Sequence, residues 1–201
     1  MSELTILQAV RLKGRVTATA LAATLGTDLA EVAGTVEQLT AAGLVVGDKV
    51  LKLSRDGRAR LDELLADERK DVDTAALSAA YNDFRTVNAD FKAAVTDWQL
   101  KGGEPNTHQD AEYDAAVLAR IDHVHQRVLP IIAAAAAQLP RLSAYSAKLQ
   151  KALDKVKSGD TAWLARPLID SYHTVWFELH EELISAAGVT REAEAKAGHA
   201  E

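Results

Sequence analysis

Apolar positions recur at helical spacing along most of the chain, in two different styles. Up to residue 70 they come in short runs: Leu4, Ile6, Leu7 and Val10, then Leu21 and Leu25, then Leu29, Val32, Val36 and Leu39 at steps of three and four. Such steps predict short amphipathic helices. Ser2, either Thr17 or Thr19, and Asp28 are placed to cap them, and Gly14, Gly26 and Gly43 to end them. Beyond Gly43 the pattern changes to two short apolar stretches, Leu44–Val46 and Val50–Leu53, around Gly47-Asp48. That pair is a hairpin-turn signal. A fourth helix is expected from about Arg58 to Lys70.

After residue 70 the runs lengthen. With Thr74 as N-cap, Leu77, Tyr81, Phe84, Asn88, Phe91, Val95 and Trp98 alternate steps of four and three, a heptad seam with one polar member. A lone buried Asn in a coiled coil fixes register and partner number. The seam therefore packs in a local bundle, against a second copy of the chain, or both. Lys101–Asn106 reads as a loop, with Asn106 or Thr107 capping a helix to about Leu129. Pro130 and Pro140 suit the starts of further helical pieces, Lys157–Asp160 is a stop, and a last long helix reaches Ala187 before Gly188. Residues 191–201 are small and polar and are expected to fray.

Composition narrows the function. With no cysteine there is no disulfide, thiolate metal site or thiol nucleophile. The net charge of −6 argues against nucleic-acid binding by the whole surface. Yet residues 1–70 hold 10 basic and 10 acidic side chains, so all of the acid excess follows them. The basic groups of this neutral segment include Arg11, Lys13, Arg15, Lys49, Lys52, Arg55, Arg58 and Arg60, on the hairpin and its flanks. The start of the chain lacks a basic, apolar leader, and no apolar run is long enough to span a bilayer. A cytoplasmic protein without membrane contact is expected.

The order helix, helix, helix, hairpin, helix is that of a winged helix-turn-helix. Ala20–Gly26 resembles its second helix, and Val36–Val45 the end of its recognition helix running into the wing. Leu53-Ser54-Arg55-Asp56-Gly57-Arg58 is similar to the wing exit of MarR-like regulators. The layout, a winged helix followed by helices alone, also resembles FadR-like GntR regulators, although their Asp-x-x-x-His metal pair is missing: Asp122 is followed four residues later by Gln126. The resemblance implies double-stranded DNA as a partner, with Thr35 and Gln38 of the third helix facing bases and Lys49, Lys52, Arg55 and Arg58 facing phosphates. The third helix itself has no Lys or Arg, and its two Glu face phosphates unfavourably.

On a wheel of about 100° per residue, the last helix puts Asp170, Ser171, Thr174, Glu178, Glu181, Glu182 and Ser185 on one side. Tyr172, His173, Val175, Trp176, Phe177, Leu179, His180, Leu183 and Ile184 fill a wide opposite arc, so the helix is expected at the centre of its domain. His125 falls at the edge of the apolar face of its own helix. His125, Tyr172, His173, Trp176 and His180 are thus candidates to line a pocket for a small-molecule effector. A metal held by His125, His173 and His180 is an alternative, as are core histidines satisfied by their neighbours; no resident cofactor is expected. There is no Walker loop, G-x-G-x-x-G, H-E-x-x-H or G-x-S-x-G, and no catalytic residue is assigned.

The sequence therefore predicts a mainly α protein. A winged helix-turn-helix spans residues 1–70 and an all-α bundle for dimerisation and ligand sensing spans 71–201. The expected function is a homodimeric, DNA-binding transcriptional regulator that is not an enzyme. The alternative is a non-catalytic accessory subunit that uses the winged helix to dock on a neighbouring enzyme.

Overall fold

The structure, a computed structural model, describes residues 1–189. The tail expected to fray lies outside the described residues. The protein is mainly helical, with two small two-stranded sheets among the described residues. It divides into two compact units, Met1–Asp71 and a second that starts at Val72. Among the described residues no helix is long and apolar enough to cross a membrane.

The first unit contains α1 (Glu3–Lys13), α2 (Ala18–Leu25), α3 (Leu29–Ala41), a hairpin of β1 (Val45–Val46) and β2 (Lys52–Leu53), and α4 (Arg55–Glu68). The N-caps are local. Ser2, Thr17, Asp28 and Ser54 each accept a hydrogen bond from a backbone amide in the first turn that follows. Ser54 thus starts α4 three residues earlier than the apolar pattern alone predicts. A bridge between Val16 and Leu51 adds a third segment beside β2. The core is aliphatic: Ile6, Leu7 and Val10 of α1 meet Leu21, Val32, Val36, Leu39, Val45, Leu53, Leu61 and Leu65. No aromatic residue occurs in residues 1–71.

The second unit begins with two long helices, α5 (Thr74–Gln99) and α6 (Ala111–Gln138). The expected loop between them carries a tight hairpin, β3 (Leu100–Lys101) with β4 (Glu104–Pro105), turned by Gly102 and Gly103 at positive φ. Its caps differ from those expected. Asp73, in place of Thr74, accepts from Ala75 N and Ala76 N. Asp110 caps α6, and Asn106 instead binds the Trp98 carbonyl and Asp114. Pro130 does not begin a new piece. It sits at an exposed position inside a continuous α6, where the lost amide hydrogen bond faces solvent. A 3-10 turn at Pro140–Ser143 leads to α7 (Ala144–Lys157), followed by the single-turn α8 (Ala162–Ala165) and α9 (Tyr172–Ala186).

The heptad seam is internal. Leu77, Tyr81, Phe84, Asn88, Phe91, Val95 and Trp98 are all buried within the unit, with Phe84, Phe91 and Tyr81 against α9. Of the two readings of the seam, the local bundle is the one observed.

Gly57 shows how closely the hairpin and α4 meet. A Cβ there would overlap the backbone carbonyl of Leu44, the same carbonyl that accepts the Ser54 amide at 3.0 Å. Helix propensity alone would favour Gly57→Ala by ~1 kcal/mol. The overlap reverses the sign: we expect the substitution to cost ~1–3 kcal/mol. Amide hydrogen exchange in α4 and β1 should accelerate, and unchanged or slower exchange would contradict the contact.

Candidate functional site

On the first unit, α3 exposes Ala30, Glu31, Gly34, Glu37, Gln38 and Thr40 and carries no cation. Glu31 is held by the N-terminal ammonium of Met1 at 2.7 Å. Thr35 is half-buried and its hydroxyl donates to the Glu31 carbonyl at 3.1 Å, so it is engaged within its own helix. Of the two expected base-facing residues, Gln38 is the fully exposed one. Lys49 lies in the turn of the hairpin, Lys52 on β2, and Arg55 and Arg58 on the first turn of α4; all four are exposed.

In the second unit, four of the five expected pocket residues, His125, Tyr172, Trp176 and His180, are buried. His125 is buried on α6. Its Nε2 lies 3.0 Å from Gln150 Oε1, and its Nδ1 3.2 Å from the Tyr172 hydroxyl. Gln150 turns its amide nitrogen to Asp154 at 2.7 Å, which leaves its oxygen facing the ring. The neutral imidazole therefore donates from Nε2–H to Gln150 and accepts the Tyr172 proton at Nδ1. Burial lowers the His125 pKa, with the Gln150 hydrogen bond opposing. The same burial pushes the Tyr172 phenol far up.

Trp176 is stacked between Phe84 and Phe91, with ring centroids at 5.1 and 4.3 Å. Its indole N–H donates to Asn88 Oδ1 at 2.8 Å. His180, two turns beyond Tyr172, has its Nε2 3.3 Å from the Tyr81 hydroxyl and its ring beside Phe84. His173 departs from expectation: it is exposed, with its ring 5.9 Å from that of Phe91. Phe177, also expected inside, is 42% exposed. His125, His173 and His180 thus occupy three separate places. Among the described residues no three His, Asp or Glu side chains assemble into a metal-holding group.

The buried arc of α9 is rotated by roughly 60° from the expected one, toward its acidic side. Glu178 and Glu182, expected in solvent, are 2% and 3% exposed. They lie against the segment that begins at the 3-10 turn and continues as α7. Arg141 Nη1 meets Glu182 Oε2 at 2.6 Å, and the Tyr145 hydroxyl donates to Glu182 Oε1 at 3.4 Å. Lys148 lies 3.9 Å from Glu178 and 5.1 Å from the Tyr145 ring centroid. Burial, together with these carboxylates, raises the Tyr145 phenol well above its ordinary range. The signal was present in sequence: carboxylates at i and i+4 on one helix, and Arg141, Tyr145 and Lys148 at i, i+4 and i+7 in another segment. Two charges of each sign make the cluster neutral, which is what low-dielectric burial demands.

Two open grooves are described on this unit. One, of about 760 Å³, runs between α5 and α6 past Ala76, Ala79, Asp83, Gln126, Pro130 and Ala134. The other follows α7 past Gln150, Lys151 and Asp154. Neither is lined by Tyr172, His173, Trp176 or His180. No family model, curated protein or solved structure matches the chain.

Two expectations follow from the buried contacts. Asn88→Leu keeps the branched shape but leaves the Trp176 N–H without its acceptor, a loss of ~1–3 kcal/mol. All three tryptophans, Trp98, Trp163 and Trp176, belong to this unit, so urea unfolding followed by tryptophan fluorescence reads it directly. The midpoint should fall while the sedimentation coefficient stays unchanged; a changed oligomeric state would place Asn88 at an intermolecular seam instead. The second concerns pH. Because the folded His125 pKa lies below the unfolded value of about 6.5, the unfolded chain takes the proton first. This contribution to stability is complete above about pH 6.5 and is lost as pH falls through the folded pKa. His125→Gln should flatten the fall in urea midpoint between about pH 7 and 5.

Proposed function

We propose that the protein is a DNA-binding transcriptional regulator whose first unit is a winged helix-turn-helix. The observation that carries this reading is the chain order of the first unit: α1, the short segment at Val16, α2, α3, then a hairpin whose second strand pairs back to Val16. In that arrangement α2 and α3 form the helix-turn-helix, the hairpin is the wing, and α3 is the helix offered to a groove. The buried stripe of α3, Val32, Val36 and Leu39, leaves its Gln38 face outward, as such a helix requires.

Regulation is proposed to act through the helical unit, by a ligand that favours one arrangement of two DNA-reading units over another. A homodimer presenting two such units has to use a face other than the heptad seam, which is filled by its own chain. Effector binding at His125, Tyr172, Trp176 or His180 requires opening of a core in which these side chains already contact one another or their neighbours.

A second reading is favoured by one observation, the cation-free outer face of α3. In it, the first unit docks on a protein and the chain is a non-catalytic accessory subunit of an enzyme. Fluorescence anisotropy of the full chain with duplex fragments of its own upstream region, at low salt, separates the two. Binding with a salt-dependent affinity is expected for the regulator. No duplex binding by folded protein, with recovery of one stoichiometric enzyme partner, would replace it with the accessory subunit.

A further inference from the structure

The cations of the first unit fall into two groups according to whether the unit itself engages them. Arg60 is held by Glu3 at 3.1 Å and Glu63 at 3.2 Å, and Lys70 by Asp67 at 2.6 Å. Arg11 donates to Gln8 at 3.1 Å. Arg15, Lys49, Lys52, Arg55 and Arg58 are all exposed, and among the described residues none of them has an ion pair.

These five belong to one stretch of structure. The Val16–Leu51 bridge brings Arg15 alongside β2, next to Lys52. Lys49 is in the turn of the same hairpin, and Ser54 passes the chain directly into α4, where Arg55 and Arg58 stand one turn apart. The acids within the strip are Asp48 and Asp56, so it keeps a net positive charge. The contrast with α3 is complete: that helix has no Lys or Arg, and its exposed Glu37 would face phosphates with the wrong sign.

We infer that the strip, rather than α3, carries the affinity, so that the unit takes duplex DNA wing-first through its phosphates and discriminates weakly among sequences. This rests on the winged-helix reading above. A polyanion is the partner whose charge matches unpaired guanidinium and ammonium groups set along an edge. Duplex is favoured over single strands because residues 1–71 contain no aromatic side chain on which unpaired bases would stack. Gln38 alone is one base-reading side chain, too few for a specific site.

The test uses the full chain and duplexes of about 24 base pairs, a little over two helical turns. Affinity is measured by anisotropy across a salt series for an upstream fragment and for a shuffled duplex of the same composition. The logarithm of affinity should fall with log salt at a slope of roughly −4 to −5 for each unit bound, given about 0.9 per phosphate neutralised. Lys52→Gln and Arg55→Gln should each flatten the slope by about 1, while Gln38→Ala leaves affinity within about twofold. Upstream and shuffled duplexes should differ by less than about tenfold, where a specific reader shows 10³-fold or more. Circular dichroism of each exposed-residue variant checks that it folds.

Loss of binding with Gln38→Ala, or strong preference for the upstream fragment with the strip variants unaffected, overturns the inference and leaves the regulator reading standing. Absence of duplex binding by the wild-type chain removes both. Tighter binding to poly-glutamate than to duplex assigns the strip to an acidic protein surface and also overturns the inference.

Discussion

The second unit depends on satisfying the polar groups of a helix that is buried around most of its circumference. Helix α9 takes an indole N–H, a phenol, an imidazole and two carboxylates out of water, and each group left without a partner would cost about 1–3 kcal/mol, more for the charges. The neighbouring segments are arranged around that demand. Helix α5 supplies Asn88 to Trp176 and Tyr81 to His180. Helix α6 supplies His125 to Tyr172. The turn before α7 and α7 itself supply Arg141, Tyr145 and Lys148 to the two carboxylates. Apolar packing alone would allow α9 to rotate or slide; these directional pairs, on three sides and at different heights, fix both its rotation and its height.

The same network accounts for what the sequence made legible and what it hid. The helices, the hairpin after Gly43 and the burial of the heptad positions follow from spacing and local caps, and those are written in consecutive residues. The rotation of α9 is not. A helical wheel scores Glu178 and Glu182 as solvent-facing because it weighs each residue alone, whereas their burial depends on cations that arrive from Arg141 and Lys148 in another segment. His173 and Phe177 face out for the complementary reason: once the acidic side turns inward, the opposite edge of the arc must turn to solvent. Proline suits the first turn of a helix, so the sequence predicts a start at Pro130, although at an exposed position inside a long helix the loss of its amide is small.

The candidate surface of the first unit was partly legible. Lys49, Lys52, Arg55 and Arg58 could be placed on and after the hairpin from sequence. That Glu3 holds Arg60 and that Arg15 joins the strip could not, since each depends on a contact far along the chain. The two units also differ in kind. One has a small aliphatic core and an outer edge of unpaired cations; the other has an aromatic and ionic interior whose polar groups look inward.

The bridge between Val16 and Leu51 has a kinetic side. It joins positions far apart in the chain, so its two hydrogen bonds of 3.1 and 2.8 Å form only after the intervening helices have closed the loop between them. A hairpin of two-residue strands has too little surface to persist by itself. The hairpin therefore depends on that closure to persist. Local unfolding at α1 would therefore release the charged edge and the packed face of α4 together.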